Sequence, residues 1–183
     1  MSVRRSIPET KEDVEAIGER YYKSLNSESD RGCVLVAAAL IDESLETLLR
    51  SKFIQDGRAV KLCVKPMFEN MGPLSSYWAK TQLLRALEML EDWEYADLNR
   101  IRELRNHFAH TYDEASFGDP KASEISKQLE TAKRRLRARP SLGSHAEKTP
   151  RELFAISASF LAGAIHGMAY RNREDRKGSG RGV

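Results

Sequence analysis

The 183-residue chain has a formal net charge of +3, with 40% hydrophobic and 31% charged residues and only 11 Gly and 6 Pro. That length fits one domain. The composition excludes a disordered chain, and so small a net charge does not by itself imply nucleic acid.

No apolar run approaches the ~18 residues that a membrane span needs. The opening MSVRRSIPETKEDVEAIGERYY has two arginines but no apolar stretch behind them. It does not read as a secretory signal, so the cytoplasm is the expected compartment and no membrane contact is expected. Cys33 and Cys63 lack any metal-ligand or redox spacing and read as two core thiols, so neither metal nor cofactor is expected.

Apolar residues return every three or four positions almost throughout, which predicts an all-α bundle of about six helices. Val14, Ile17, Tyr21 and Leu25 mark the first helix. Asp30 is the expected cap of the second, whose stripe is Val34, Leu35, Ala38, Ile41, Leu45, Leu48 and Leu49. Residues 56–74, with Gly57, Pro66, Gly72 and Pro73, read as a long loop with one short helical turn near PMFEN. A third helix shows Ala79, Leu83, Leu87 and Leu90 on one side, and a fourth shows Leu98, Ile101, Leu104 and Phe108.

Asp119 and Pro120 begin a fifth helix that should stop before Pro140. Thr149-x-x-Glu152 is a capping box, with Pro150 at the first position, for a sixth helix whose apolar arc runs through Leu153, Phe154, Ile156, Phe160, Leu161, Ile165 and Met168. That arc is broad enough for deep burial or for sharing with a partner. Residues 1–170 therefore read as a single helical domain, and 171–183 as a flexible basic tail.

The fourth helix ends in RNHFAH, residues 105–110. At about 100° per residue Arg105 falls inside the arc of Leu98, Ile101, Leu104 and Phe108, and Asp42 falls inside the apolar stripe of the second helix. A buried guanidinium needs a carboxylate, so Asp42 is expected to accept Arg105, with Arg31 as a rival partner on the same face. His110 projects opposite the core, beside Asn106 and Arg102, and reads either as a histidine at free helix-end carbonyls or as a functional group. His107 reads as a solvated neighbour, while His145 and His166 have no visible partners.

The blocks RGCVLVAAALIDESLETLLR, GPLSSYWAKTQLLRAL and DLNRIRELRNHFAH, in that order, resemble the mannitol operon repressor family over roughly the first two thirds of the chain. More distantly, the arginine-polar-x-x-x-histidine pattern is similar to that of the HEPN superfamily of helical domains, many of which are metal-independent ribonucleases or toxin components. The resemblance implies a helical bundle that commonly dimerises with its motifs facing each other, and it places Arg105, Asn106 and His110 on the motif. The repressor-like name implies transcriptional control, yet the sequence shows no short helix-turn-helix with a polar recognition helix.

Three functions follow. The first is a regulator acting through a protein partner or weak nucleic-acid contact. The second is a ribonuclease in which His110 assists 2′-hydroxyl attack and Arg105 stabilises the charge that develops, alongside Asn106. The third is a non-catalytic interaction module. A homodimer is expected from the broad last helix and from the outward face of the motif. Residues 121–139 set seven cations, among them Lys133, Arg134, Arg135, Arg137 and Arg139, against two carboxylates. This is a solvated face or a sequence-independent nucleic-acid surface.

Overall fold

The computed structural model describes residues 11–111 and 115–178, and side chains from residue 16 onward. Val14 therefore lies outside the described side chains. Among the described residues the secondary structure is entirely helical: α1 (Lys11–Asn26), α2 (Asp30–Lys52), α3 (Gly57–Ala59), a π-helical turn (Val60–Val64), α4 (Lys65–Phe68), α5 (Tyr77–Ala86), α6 (Asp92–His110), α7 (Pro120–Gln128), α8 (Glu130–Ala138) and α9 (Pro150–Gly178).

Helices α2 and α9 form the centre. Helix α9 packs on α1, α2, α7 and α8, and α2 also packs on α5 and α6. The expected α2 stripe is buried except for Leu35, which is 37% exposed. Its N-cap is Ser29, which accepts from Gly32 N, rather than Asp30. Asp30 instead ties the bundle together, accepting Phe117 N at 2.9 Å and pairing with Arg151 at the start of α9. Phe108, Phe117 and Phe154 stack in series with ring centroids 5.4 and 5.3 Å apart, linking α6 to α9.

The capping box that opens α9 forms as the sequence indicates, with Thr149 N donating to Glu152 Oε2 at 2.8 Å and Glu152 N to Thr149 Oγ1 at 3.2 Å. The broad arc of α9 is covered by the chain's own helices, with only Phe160 and Met168 of the expected set half-buried. Its width therefore has an intrachain explanation and does not call for a second copy. No Asp, Glu, Lys or Arg lies between Leu153 and Tyr170. Contrary to the sequence expectation, α9 is thus long and apolar enough to cross a membrane, but 72% of its apolar window is buried inside the protein. Ala, Ser and Gly between the large side chains supply the uncharged length and the close packing.

Four local expectations change. Residues 57–68 are helical throughout, extending the single turn expected near PMFEN back to Gly57. Gly72 closes this segment where a Cβ would meet Pro66 O at 2.2 Å. The buried face of α5 is Lys80, Thr81 and Leu84, whereas Leu83 is half-buried and Leu87 exposed. Cys63 is exposed, so only Cys33 is a core thiol, with burial pushing its pKa up to about 11. Finally, α9 runs through residues 171–178, where a tail was expected, and is held by Asn172 Nδ2 donating to Ser51 Oγ at 2.8 Å and Arg176 Nη1 to Phe53 O at 2.8 Å.

The fifth helix is two helices. At Leu129 the backbone turns extended (φ −62°, ψ 115°) and buries that side chain. The N–H groups freed at the start of α8 find side chains from elsewhere in the fold. Asp97 on α6, fully buried, accepts Glu130 N at 3.1 Å, Thr131 N at 2.7 Å and Thr131 Oγ1 at 2.7 Å. Ser157 on α9 accepts Ala132 N at 3.1 Å. Three orphan donors of a helix start are thereby satisfied without a local cap.

Candidate functional site

On α2 the residues Leu35, Ala38, Ala39 and Asp42 recur at helical spacing, and on α6 so do Arg102, Arg105 and Asn106. With Ser75–Trp78 at the start of α5, these two rows line a cleft of about 590 Å³. Ser76 fixes the α5 end by accepting Ala79 N at 3.1 Å. Tyr77 anchors it to α6 by donating its hydroxyl to Leu98 O at 3.0 Å. Trp78 stands at the rim, 51% exposed.

Behind the cleft the sequence expectation fails. Asp42 is not held by Arg105: Lys80 Nζ lies 2.7 Å from Asp42 Oδ1 and 3.7 Å from Glu46 Oε2. The lysine is only 2% exposed. Its contact with Asp42 is ionic, without hydrogen-bond geometry. Glu46 in turn accepts Arg50 Nε at 2.9 Å, and Arg50 lies 4.3 Å over the Phe68 ring. A string of alternating charges thus fills the α2–α5 seam.

Arg105 is exposed and donates to Asn106 Oδ1 at 3.1 Å. Arg31 donates to Thr111 O at 2.6 Å, beyond the C-terminus of α6. Its separation of eleven residues from Asp42 along α2, about 16 Å at the helical rise, is beyond side-chain reach. Arg102 is half-buried and its Nε is desolvated, with no hydrogen-bond partner among the described residues. Burial drives the Tyr77 hydroxyl pKa well above its ordinary value; Asp42 adds to this and Arg102 opposes it.

His110 is exposed and does not line the cleft. Helix α6 continues unbroken to this residue, so Arg105 and His110 stay about 140° apart around the axis. Thr111, rather than His110, satisfies a terminal carbonyl, donating from its backbone N and from Oγ1 to His107 O at 3.1 and 2.7 Å. His107 is not merely solvated: its Nε2 lies 3.2 Å from Asp119 Oδ1, the oxygen that caps α7. His166 also has a partner, the hydroxyl of Tyr21 at 3.2 Å, and burial, with Arg20 adding, lowers its pKa to about 4.

The five candidate nucleic-acid residues do not share one free surface. Lys133 and Arg134 pair with Glu130 at 3.5 and 3.6 Å, and Arg134 also covers Trp93. Arg135 stacks 3.8 Å from the Phe160 ring centre, with its Nε buried. Only Arg137 and Arg139 are exposed without an ion pair to the described residues.

Tyr77 and Trp78 in the cleft, and Lys80 behind it, are the residues that helical periodicity missed. A charged residue on a core face breaks the apolar count, so the face of Lys80, Thr81 and Leu84 goes unread. The available signal was the matching acidic pair at i and i+4, Asp42 and Glu46, on α2.

Residues 18–165 match the family described as "Mannitol repressor". The mannitol operon repressors of Escherichia coli (strain K12) and of E. coli O6:H1 (strain CFT073) are each 29% identical over 111 residues, 60% of this chain. The alignment spans 57% of the length of those relatives. Among solved structures, the chain is similar to one described as the X-ray structure of the MtlR–HPr complex from E. coli. The TM-score is 0.67 at 23% identity, over 82% of this chain and 99% of that one. It is also similar to a possible transcriptional regulator, YggD, from Shigella flexneri 2a, with TM-score 0.61 at 17% identity, over 85% of this chain and 97% of that one. Identities this low speak to the fold alone.

Proposed function

Because this chain belongs to the mannitol repressor family, whose pattern covers residues 18–165, we propose that it is a cytoplasmic regulator that acts in transcriptional control through a protein partner. The observation that carries this reading is the cleft surface. Two large apolar side chains, Leu35 and Trp78, are exposed at a site that also presents Arg102 and Arg105. Since Lys80 balances Asp42, the two arginines leave the cleft cationic. Aromatic and arginine side chains together are the usual anchors of protein interfaces, and complementary charge favours an acidic, partly apolar partner surface.

A solved relative is described in complex with HPr, which makes HPr from the same cell the first partner to test. Calorimetric titration should give a saturable complex, weakened at least tenfold by Trp78→Ala and by Arg105→Glu, each a rim change with little packing cost. Absence of heat with HPr at concentrations up to hundreds of micromolar would remove HPr as the partner. Unaltered binding by both variants would remove the cleft.

The ribonuclease alternative needs a histidine beside Arg105 in one cleft. The separation of about 140° along an unbroken α6 leaves it without support within a single chain.

A further inference from the structure

A second cavity, of about 470 Å³, lies away from this cleft, between α8 and the turn that follows it. Lys133 and Arg137 from α8 line it, together with Gly143, Ser144 and His145. Three nitrogen-bearing side chains able to hold positive charge thus face one space. His145 Nε2 is fully desolvated and has no hydrogen-bond partner among the described residues.

The neighbouring carboxylates are already engaged. Glu130 takes Lys133 at 3.5 Å and Arg134 at 3.6 Å. Glu147 Oε2 accepts Ser144 N at 2.9 Å, and Glu152 pairs with Lys148 at 3.3 Å. Arg137 has no ion pair to the described residues. Burial lowers the His145 pKa below its ordinary value, Lys133 and Arg137 add to this, and Glu130 opposes it. A cavity that crowds cations and leaves a buried ring nitrogen unpaired lacks an acceptor that is also an anion.

We propose that this cavity is a phosphate-binding site in which Arg137 and Lys133 supply charge and His145 Nε2 supplies the directed hydrogen bond. The site is independent of the partner cleft and of its function. Phosphate combines several acceptor oxygens with the charge this set lacks, and an arginine fork matches its geometry. The group can arrive as a free phosphate or phosphomonoester, or as the phosphodiester of a nucleic-acid backbone. Arg139, exposed next to the cavity-lining segment, would favour the second by offering a neighbouring contact.

The test is an NMR pH titration of the histidine rings of the full chain in chloride buffer. It is repeated with inorganic phosphate and with a short single-stranded oligonucleotide, and the His145 signal is assigned through His145→Gln. Without added anion His145 should titrate below 6.5. With the anion bound its pKa should rise by about one unit, because a nearby negative charge favours the imidazolium. The rise should vanish in Arg137→Gln, whose fold is checked by an unchanged melting curve. A rise with phosphate alone identifies a free phosphate as occupant; a larger rise with the oligonucleotide, declining with salt, identifies the phosphodiester. A His145 titration indifferent to both anions, or one that responds equally in Arg137→Gln, overturns the proposal.

Discussion

Lys80 Nζ sits 2.7 Å from Asp42 Oδ1 in a seam where the lysine is almost completely excluded from water. Glu46, itself buried, stands on its other side at 3.7 Å. Lys80 therefore bridges two carboxylates between α2 and α5, of which Glu46 also accepts Arg50 Nε at 2.9 Å. Lys80→Met should destabilise the fold by about 2 kcal/mol, because the desolvated Asp42 Oδ1 loses its cation while Glu46 keeps Arg50. Urea unfolding measures this. Arg105→Ala, exposed and bonded only to its neighbour Asn106, should stay within about 0.5 kcal/mol of wild type. Equal losses would mean that Arg105 is the buried partner after all.

Asp97 stabilises a helix start that is 33 and 34 residues away in sequence. It also accepts Arg100 Nη1 at 2.9 Å. Asp97→Ala leaves the N–H groups of Glu130 and Thr131 buried without acceptors, and each such loss costs roughly 1–3 kcal/mol. The expected result is a loss of about 3 kcal/mol, with amide exchange accelerating first at Glu130–Ala132. Asp97→Asn should recover part of it, since one oxygen remains.

His166 gives the fold an acid-sensitive joint between α1 and α9. In the folded chain it stays neutral down to about pH 4, against an ordinary value of 6.5. Between those values the unfolded chain binds the extra proton. Stability is therefore complete above about pH 6.5 and falls as pH drops through this window, by on the order of 3 kcal/mol at its end. In His166→Phe the stability curve should lose this slope. A variant that keeps the full slope between pH 6.5 and 4 would assign the acid loss to other groups.

The large pattern of the fold was legible because its helices are amphipathic with clear end signals. Thr149 and Glu152 form their box, Asp119 and Pro120 open α7, and Leu98, Ile101, Leu104 and Phe108 are all fully buried. What escaped reading depends on contacts remote in sequence. Nothing within 121–139 announces a break at Leu129, because the groups that cap α8 are Asp97 and Ser157. The helical wheel put Arg105 on the core side of α6. A long arginine near the edge of that arc turns outward instead, while Lys80, on a helix read in the wrong phase, takes the carboxylate. In the candidate site, Arg105 and Asn106 belong to the motif quoted from the sequence, whereas Leu35 was hidden because its place in an apolar stripe reads as core, and Trp78 because it falls outside the apolar row of its helix.

Amide-resolved hydrogen exchange of the chain with and without its bound partner, HPr first, tests the central claim most directly. Binding through the cleft predicts slowed exchange at residues 35–42, 75–78 and 102–106 together, with α8 unchanged. Protection confined to α8 or to the 57–68 segment, with those three stretches exchanging as in the free chain, would contradict it.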